Sequence, residues 1–262
     1  MNTRCVDKTA VTASALRSPP FYRDTHGLLR DIVQQLGYET DTHNRYIIVA
    51  HLFGDTRRMI EALEPHIELD AVFGVPYSSN HPGTPEEWSR RFGDIVKITS
   101  SMEAMESALV KQLAETLALC RRNGQKLIVQ EVGGFAVSLL HKYFRDELHL
   151  VRGVVEITKQ GVWRAQELDL GVPVLHCADS ELKRLEARRC GETVARCLDG
   201  IARDLGISLA GRHATIIGAG WIGSALAEAL RRLDAIPAVM DLDPLKLAEA
   251  RLAGFTVSRD GA

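Results

Sequence analysis

Cysteine is scarce and scattered here: Cys5, Cys120, Cys177, Cys190 and Cys197 form no C-x-x-C pair. That excludes a disulfide framework and a zinc ribbon, and an odd, dispersed set points to reduced thiols in a cytoplasmic setting. Cys190 and Cys197 would share one face of a helix, but no histidine joins them at ligand spacing, so no metal is expected. An excess of charge is lacking too. With 32 Lys and Arg against 34 Asp and Glu the formal net charge is −2, which gives no support to a nucleic-acid or anionic-membrane partner. No apolar run approaches the ~20 residues of a membrane span. The opening MNTRCVDKTAVTASALRSPP lacks the unbroken apolar core of a secretory signal and reads as a polar lead-in over 1–20. Internal repeats and low-complexity segments are also missing.

What is present is alternation. At 262 residues, 45% of them hydrophobic, the chain can bury two cores. Short β-branched runs read as strands at 45–50, 70–75, 94–98, 126–130, 151–157, 172–176, 213–218 and 236–241. Helical stretches fall between them, such as TRRMIEALEPH, SMEAMESALVKQLAETLALCRRNG and GSALAEALRRLD. The second stops at Asn123-Gly124, a helix terminator. Strands alternating with helices predict an α/β fold with parallel sheets. A long charged helix over 181–205, opened by Asp179 or Ser180 and closed by Gly206, divides a substrate-type α/β domain (21–180) from a partial Rossmann domain (206–262).

The strongest motif is GRHATIIGAGWIGSALAEALRRLDAIPAVMDLDP. A lone G-x-G-x-x-G is weak evidence, but this one follows an apolar strand, opens an amphipathic helix and leads to a second strand ending in an acid. Gly218 permits the tight turn, Gly220 lets backbone approach a pyrophosphate, and Gly223 lets helix pack on strand. Trp221 and Ile222 fill the turn and stand beside the cofactor position. The helix start offers N–H groups and a positive dipole end to phosphates. Asp241, 18 residues beyond Gly223, is placed to bond ribose hydroxyls and to repel a 2′-phosphate, so NAD is expected rather than NADP. A flavin nucleotide or a methyl-donor ligand is the alternative occupant.

Over Val151–Phe255 the sequence resembles the adenosylhomocysteinases, through GVVEITKQGVWR, DSELK, CLDGI, GRHATIIGAGWIG and MDLDP. Upstream, AHLFGDT is similar to the family's CLHMTVET, QEVGGFAVSLLH to its DDGGDLTNLIH, and PYSSNH to a third substrate loop. The resemblance implies bound NAD that transiently oxidises a ribose hydroxyl of S-adenosylhomocysteine, so that a base can remove the neighbouring proton and the thiol leaves. It implies a catalytic role for His51 and Lys183, and substrate contacts for Asp55 and Ser78. Thr158 is the one remaining threonine of those that touch the nicotinamide half. The match is incomplete. The family's catalytic aspartate aligns with Val132 and its catalytic glutamate with Ile157, leaving Glu131 and Glu156, one place earlier, as the nearest acid–base groups. The aspartate–asparagine pair after the lysine becomes Ala187-Arg188. The reading is therefore an NAD-dependent enzyme of adenosylhomocysteinase type with altered substrate or chemistry, acting on a small molecule such as a nucleoside or thioether. Its rivals are an NAD-linked dehydrogenase of a small hydroxy acid and a non-catalytic NAD-binding protein. A Rossmann strand 1 with an open edge further implies a homo-oligomer or a complementing chain.

Overall fold

The computed structural model describes residues 25–37 and 39–259, so the expected lead-in lies outside the described residues. The chain divides into two compact units, Met1–His176 and Cys177–Ala262. Both are parallel α/β structures, as the alternation predicted.

The first unit carries β1 (Asp41–Ala50), β2 (Ile67–Gly74), β3 (Val96–Ile98), β4 (Lys126–Glu131), β5 (Val151–Glu156) and β6 (Val174–His176). Its helices are α1 (Thr25–Gln35), α2 (Gly54–Leu63), α3 (Pro76–Ser79), α4 (Thr84–Phe92), α5 (Met102–Asn123), α6 (Phe135–Tyr143) and α7 (Lys159–Gln166). All pairings are parallel, in the order β3-β2-β1-β4-β5-β6. This is the doubly wound order, and its switch point lies between β1 and β4. Ser101 starts α5 by accepting the Ala104 N–H at 3.2 Å, and Gly124, at φ 68°, ends it. The i, i+4 series Met105, Leu109, Leu113 and Leu117 is fully buried against Ile47, Phe73, Leu127 and Val129 of the strands. At the N-terminal end of the sheet, Arg45 forks onto Asp70 at 2.5 and 2.8 Å, and Thr116 of α5 donates to the same carboxylate at 2.9 Å. That network ties β1, β2 and α5 together at the sheet end opposite the switch-point loops.

The second unit holds α8 (Glu181–Asp204), β7 (His213–Ile217), α9 (Trp221–Arg231), β8 (Ile236–Met240), α10 (Pro244–Leu252) and β9 (Thr256–Ser258). Its sheet is parallel, in the order β7-β8-β9. The helix expected from about Ser180 is present, with the Ser180 hydroxyl accepting the Lys183 N–H at 3.2 Å. It crosses α9 at Gly191, where a Cβ would sit 2.6 Å from the Leu226 nitrogen, so only glycine allows this approach. Ala195, Ile216, Ala227, Leu230 and Val239 form the small core. Among the described residues no helix is long and apolar enough to cross a membrane.

Candidate functional site

Each unit places its candidate residues at the C-terminal ends of its strands, where open parallel sheets hold ligands. In the second unit the turn after β7 has the form the motif requires. Gly218 lies at φ +105°, a conformation that disfavours any side chain. A Cβ on Gly223 would fall 1.8 Å from the Gly218 carbonyl oxygen, so helix and turn close only on glycine. At Gly220, the N-cap of α9, an added Cβ meets nothing within 4 Å, and the backbone there is open to an approaching group. Trp221 and Ile222 are exposed on the first turn of α9.

Asp241 follows β8 directly. Its Oδ2 accepts the Ala219 N–H at 2.6 Å and its Oδ1 the Asp243 N–H at 2.9 Å. These backbone donors hold its carboxyl below the usual range, so it is charged. The bond to Ala219 braces the glycine turn, and nothing in the motif announced it. A groove of about 550 Å³ beside the turn is lined by Trp221 and Ser224 and by Arg184 and Arg188 of α8. Lys183, on the first turn of α8, pairs with Glu186 at 2.5 Å.

In the first unit His51 stands just beyond β1, beside the switch point. Its Nδ1 lies 2.6 Å from the Ser78 hydroxyl, so these two expected residues are brought together. The rings of Phe53 and Tyr77 flank the imidazole at 5.8 and 5.6 Å, and both are well exposed. Asp55 is exposed on the first turn of α2 and pairs with Arg58 at 3.0 Å.

Glu131, Glu156 and Thr158 occupy a different environment from the one expected of catalytic and cofactor-binding groups. Glu131 is fully buried and accepts the Ala136 and Val137 N–H groups at 2.6 and 3.0 Å, capping α6. Burial, with Glu156 nearby, pushes its carboxyl up to about 8 against the pull of those bonds. Glu156, equally buried, accepts from Gly133 at 3.2 Å, Gly134 at 2.7 Å, and both the N–H and hydroxyl of Thr158 at 2.6 and 2.7 Å. The Thr158 hydroxyl also accepts from Gly133 and Gly161 at 3.0 and 3.1 Å. One proton and two lone pairs are thereby used, which leaves it nothing for a cofactor. Glu131, Glu156 and Thr158 thus form a buried knot that fixes the Gly133-Gly134 turn. Val132 and Ile157 pack in or against the main core. The sequence did carry a signal for the knot: two glycines directly after a strand that ends in a glutamate.

Comparison with known proteins bears on the same residues. No protein-family model matches the chain. The adenosylhomocysteinase of Pyrococcus abyssi is 37% identical over 134 residues, which is 50% of this chain and 32% of that protein. The adenosylhomocysteinase of Aquifex aeolicus is 34% identical over 134 residues, with the same coverage. The chain is a diverged relative of the adenosylhomocysteinases. It spans about a third of the length of the curated relatives it matches. Not all of them are named for the adenosyl compound: the S-inosyl-L-homocysteine hydrolase of Methanopyrus kandleri is 34% identical over 134 residues, 50% of this chain and 31% of that protein. Among solved structures, a dipicolinate synthase from Bacillus halodurans superposes with a TM-score of 0.40 at 10% identity, covering 84% of this chain and 69% of that one.

Proposed function

We propose that the second unit binds NAD and that the first binds an uncharged, nucleoside-type small molecule, in an enzyme of adenosylhomocysteinase type. The observation that carries the reading is the glycine turn: Gly218 left-handed, Gly223 closed on the Gly218 carbonyl, and the charged Asp241 at the neighbouring strand end. Gly218, Gly220 and the first turn of α9 would hold the pyrophosphate, and Asp241 a ribose hydroxyl. Bound NAD would supply reversible oxidation of a substrate hydroxyl. His51, with Ser78 against it, is the group of the first unit placed to move a proton, and Lys183 is proposed to assist. The knot argues for an uncharged substrate. The N–H groups of Gly133, Gly134, Ala136 and Val137 are all taken by Glu156 and Glu131. A phosphate at the start of α6 would find neither donors nor a positive end. Mass spectrometry of the small molecules released from the denatured protein tests both halves, and recovery of neither NAD nor a nucleoside would count against the reading.

Cofactor choice follows from Asp241. NAD is expected to bind more tightly than NADP, and Asp241→Ala to narrow the gap by about 1–2 kcal/mol, the loss of a charged hydrogen bond. Equal affinities in the unmodified protein, measured by titration, would overturn the assignment.

A partner polypeptide is also proposed. Among the described residues β7 pairs only with β8, and Ile217 is 85% exposed on a parallel sheet, a structure normally covered on both faces. Pairing of β7 with another copy or a complementing chain would cover that edge. Light scattering is expected to show an assembly larger than the monomer. A monodisperse monomer that binds NAD at micromolar affinity would remove the proposal. The four described cysteines are free thiols, which fits a reducing, cytoplasmic setting.

A second reading has its own support. Val132 and Ile157 stand in apolar surroundings and the two nearby glutamates are tied to backbone, so a protein that binds NAD without turning over substrate is the alternative. Absence of any turnover with NAD bound would favour it.

A further inference from the structure

The geometry assigns Ser78 as the positioning residue that holds His51 in its Nδ1–H tautomer and leaves Nε2 as the proton-accepting nitrogen. The inference rests on the reading of His51 as the proton-moving group. Two distances decide it. The Ser78 hydroxyl lies 2.6 Å from His51 Nδ1 and 3.1 Å from the Val75 carbonyl oxygen. A hydroxyl has one proton and two lone pairs. If that proton went to Nδ1, two oxygens would face one another at 3.1 Å with no hydrogen between them. If it goes to Val75, both contacts are satisfied, provided that Nδ1 carries a proton and donates it.

The local fold makes this arrangement stiff. Pro76 starts α3, and the Val75 carbonyl also accepts the N–H groups of Ser78 and Ser79 at 3.1 and 3.0 Å. Ser79, fully buried, accepts the Leu52 N–H at 3.2 Å, which ties the segment carrying Ser78 to the segment carrying His51. A Cβ on Gly74 would strike the Leu52 side chain at 2.7 Å, so the two segments are also in close packing there. Ser78 is therefore fixed on one side of the imidazole. The sequence comparison had suggested a substrate contact for it, whereas its hydroxyl is turned to the histidine. An imidazole held in this way presents a lone pair at Nε2, as a general base requires, whereas the opposite tautomer would present a donor there.

The test does not depend on turnover. Ring-nitrogen chemical shifts of His51 in the full chain, at a pH where the ring is neutral, report the tautomer directly. The Nδ1–H form is expected to exceed the other by about fivefold or more, the ratio that one hydrogen bond of ordinary net strength sustains. Ser78→Ala should shift the population towards Nε2–H, the form that free histidine prefers, and Ser78→Thr should restore Nδ1–H. A native protein with mostly Nε2–H, or a Ser78→Ala variant with unchanged tautomer, overturns the assignment. If Ser78→Ala does not fold, the native and Ser78→Thr spectra still decide. Should the shifts come out as expected while no substrate is turned over, the positioning stands and the enzymatic reading alone fails.

Discussion

Homocysteine release from S-adenosylhomocysteine is expected to run about 10²–10⁴-fold or more below that of adenosylhomocysteinases assayed alongside this chain, the usual cost of losing one acid–base group. The expectation starts from two positions. Where the resemblance calls for carboxyl groups, Val132 is buried in the main core and Ile157 packs against it. Neither can accept or supply a proton. The adjacent glutamates do not replace them. A one-residue shift along a strand turns a side chain to the opposite face, and here both carboxyls are satisfied by backbone N–H groups of the Gly133-Gly134 turn and the start of α6. Recruiting either would strand several buried donors. Turnover comparable with the reference enzymes would show that other groups carry the proton transfers, and the proposal of altered substrate or chemistry would be withdrawn. Substrates that differ in the base are the natural next assay, since relatives of this chain include enzymes named for the inosyl as well as the adenosyl compound.

Much of the fold could be read in advance because its strands are short β-branched runs bounded by turns. Strands expected at 126–130, 213–218 and 236–241 are observed at Lys126–Glu131, His213–Ile217 and Ile236–Met240. The helix α5 was legible for a different reason: it is long, capped by Ser101 and stopped at Gly124. Helix α6 was harder. Ala136, Val137, Leu139, Leu140 and His141 are all buried, so it lacks the polar face that makes a helix periodic in sequence. His141 fits that interior only because both ring nitrogens are used, on Val137 O at 2.7 Å and the Gly171 N–H at 2.9 Å. The glycine turn was readable because each glycine answers a steric demand. The pairing of His51 with Ser78 was not, because 27 residues separate them and only the parallel pairing of β1 with β2 brings their C-terminal ends together. The knot was misread for a related reason. A sequence shows that a glutamate is present, but whether its carboxyl meets a substrate or a helix start depends on which side of the strand end the backbone N–H groups lie.

Replacing Glu156 is expected to be the most destabilising single change in the first unit. Its carboxyl accepts from three backbone N–H groups and one hydroxyl in a site closed to water. Glu156→Ala would strand those donors, at roughly 1–3 kcal/mol each. Thr158 can still take part of the load at Gly133, so the expected loss in urea unfolding is about 3–5 kcal/mol. Gly161→Ala provides an independent route to the same site, because the added Cβ would fall 1.8 Å from Glu156 Oε2 and push the carboxyl off its donors. A loss below about 1 kcal/mol in both variants would mean that the knot does not hold the turn. The neighbouring Glu131 adds a pH signature. Its ordinary value is 4.5 and burial raises it to about 8, so the native protein retains a proton that the unfolded chain releases. The stability contributed by that proton is complete below about pH 4.5 and is lost as pH rises through about 8, with a slope near 1.4 kcal/mol per pH unit between them. Unfolding followed at several pH values should therefore show stability falling across this window. Glu131→Gln, which has no proton to lose, should flatten the slope even though it weakens the cap on α6. If the slope survives that substitution, the titrating group is another residue and Glu131 is ionised in the native protein.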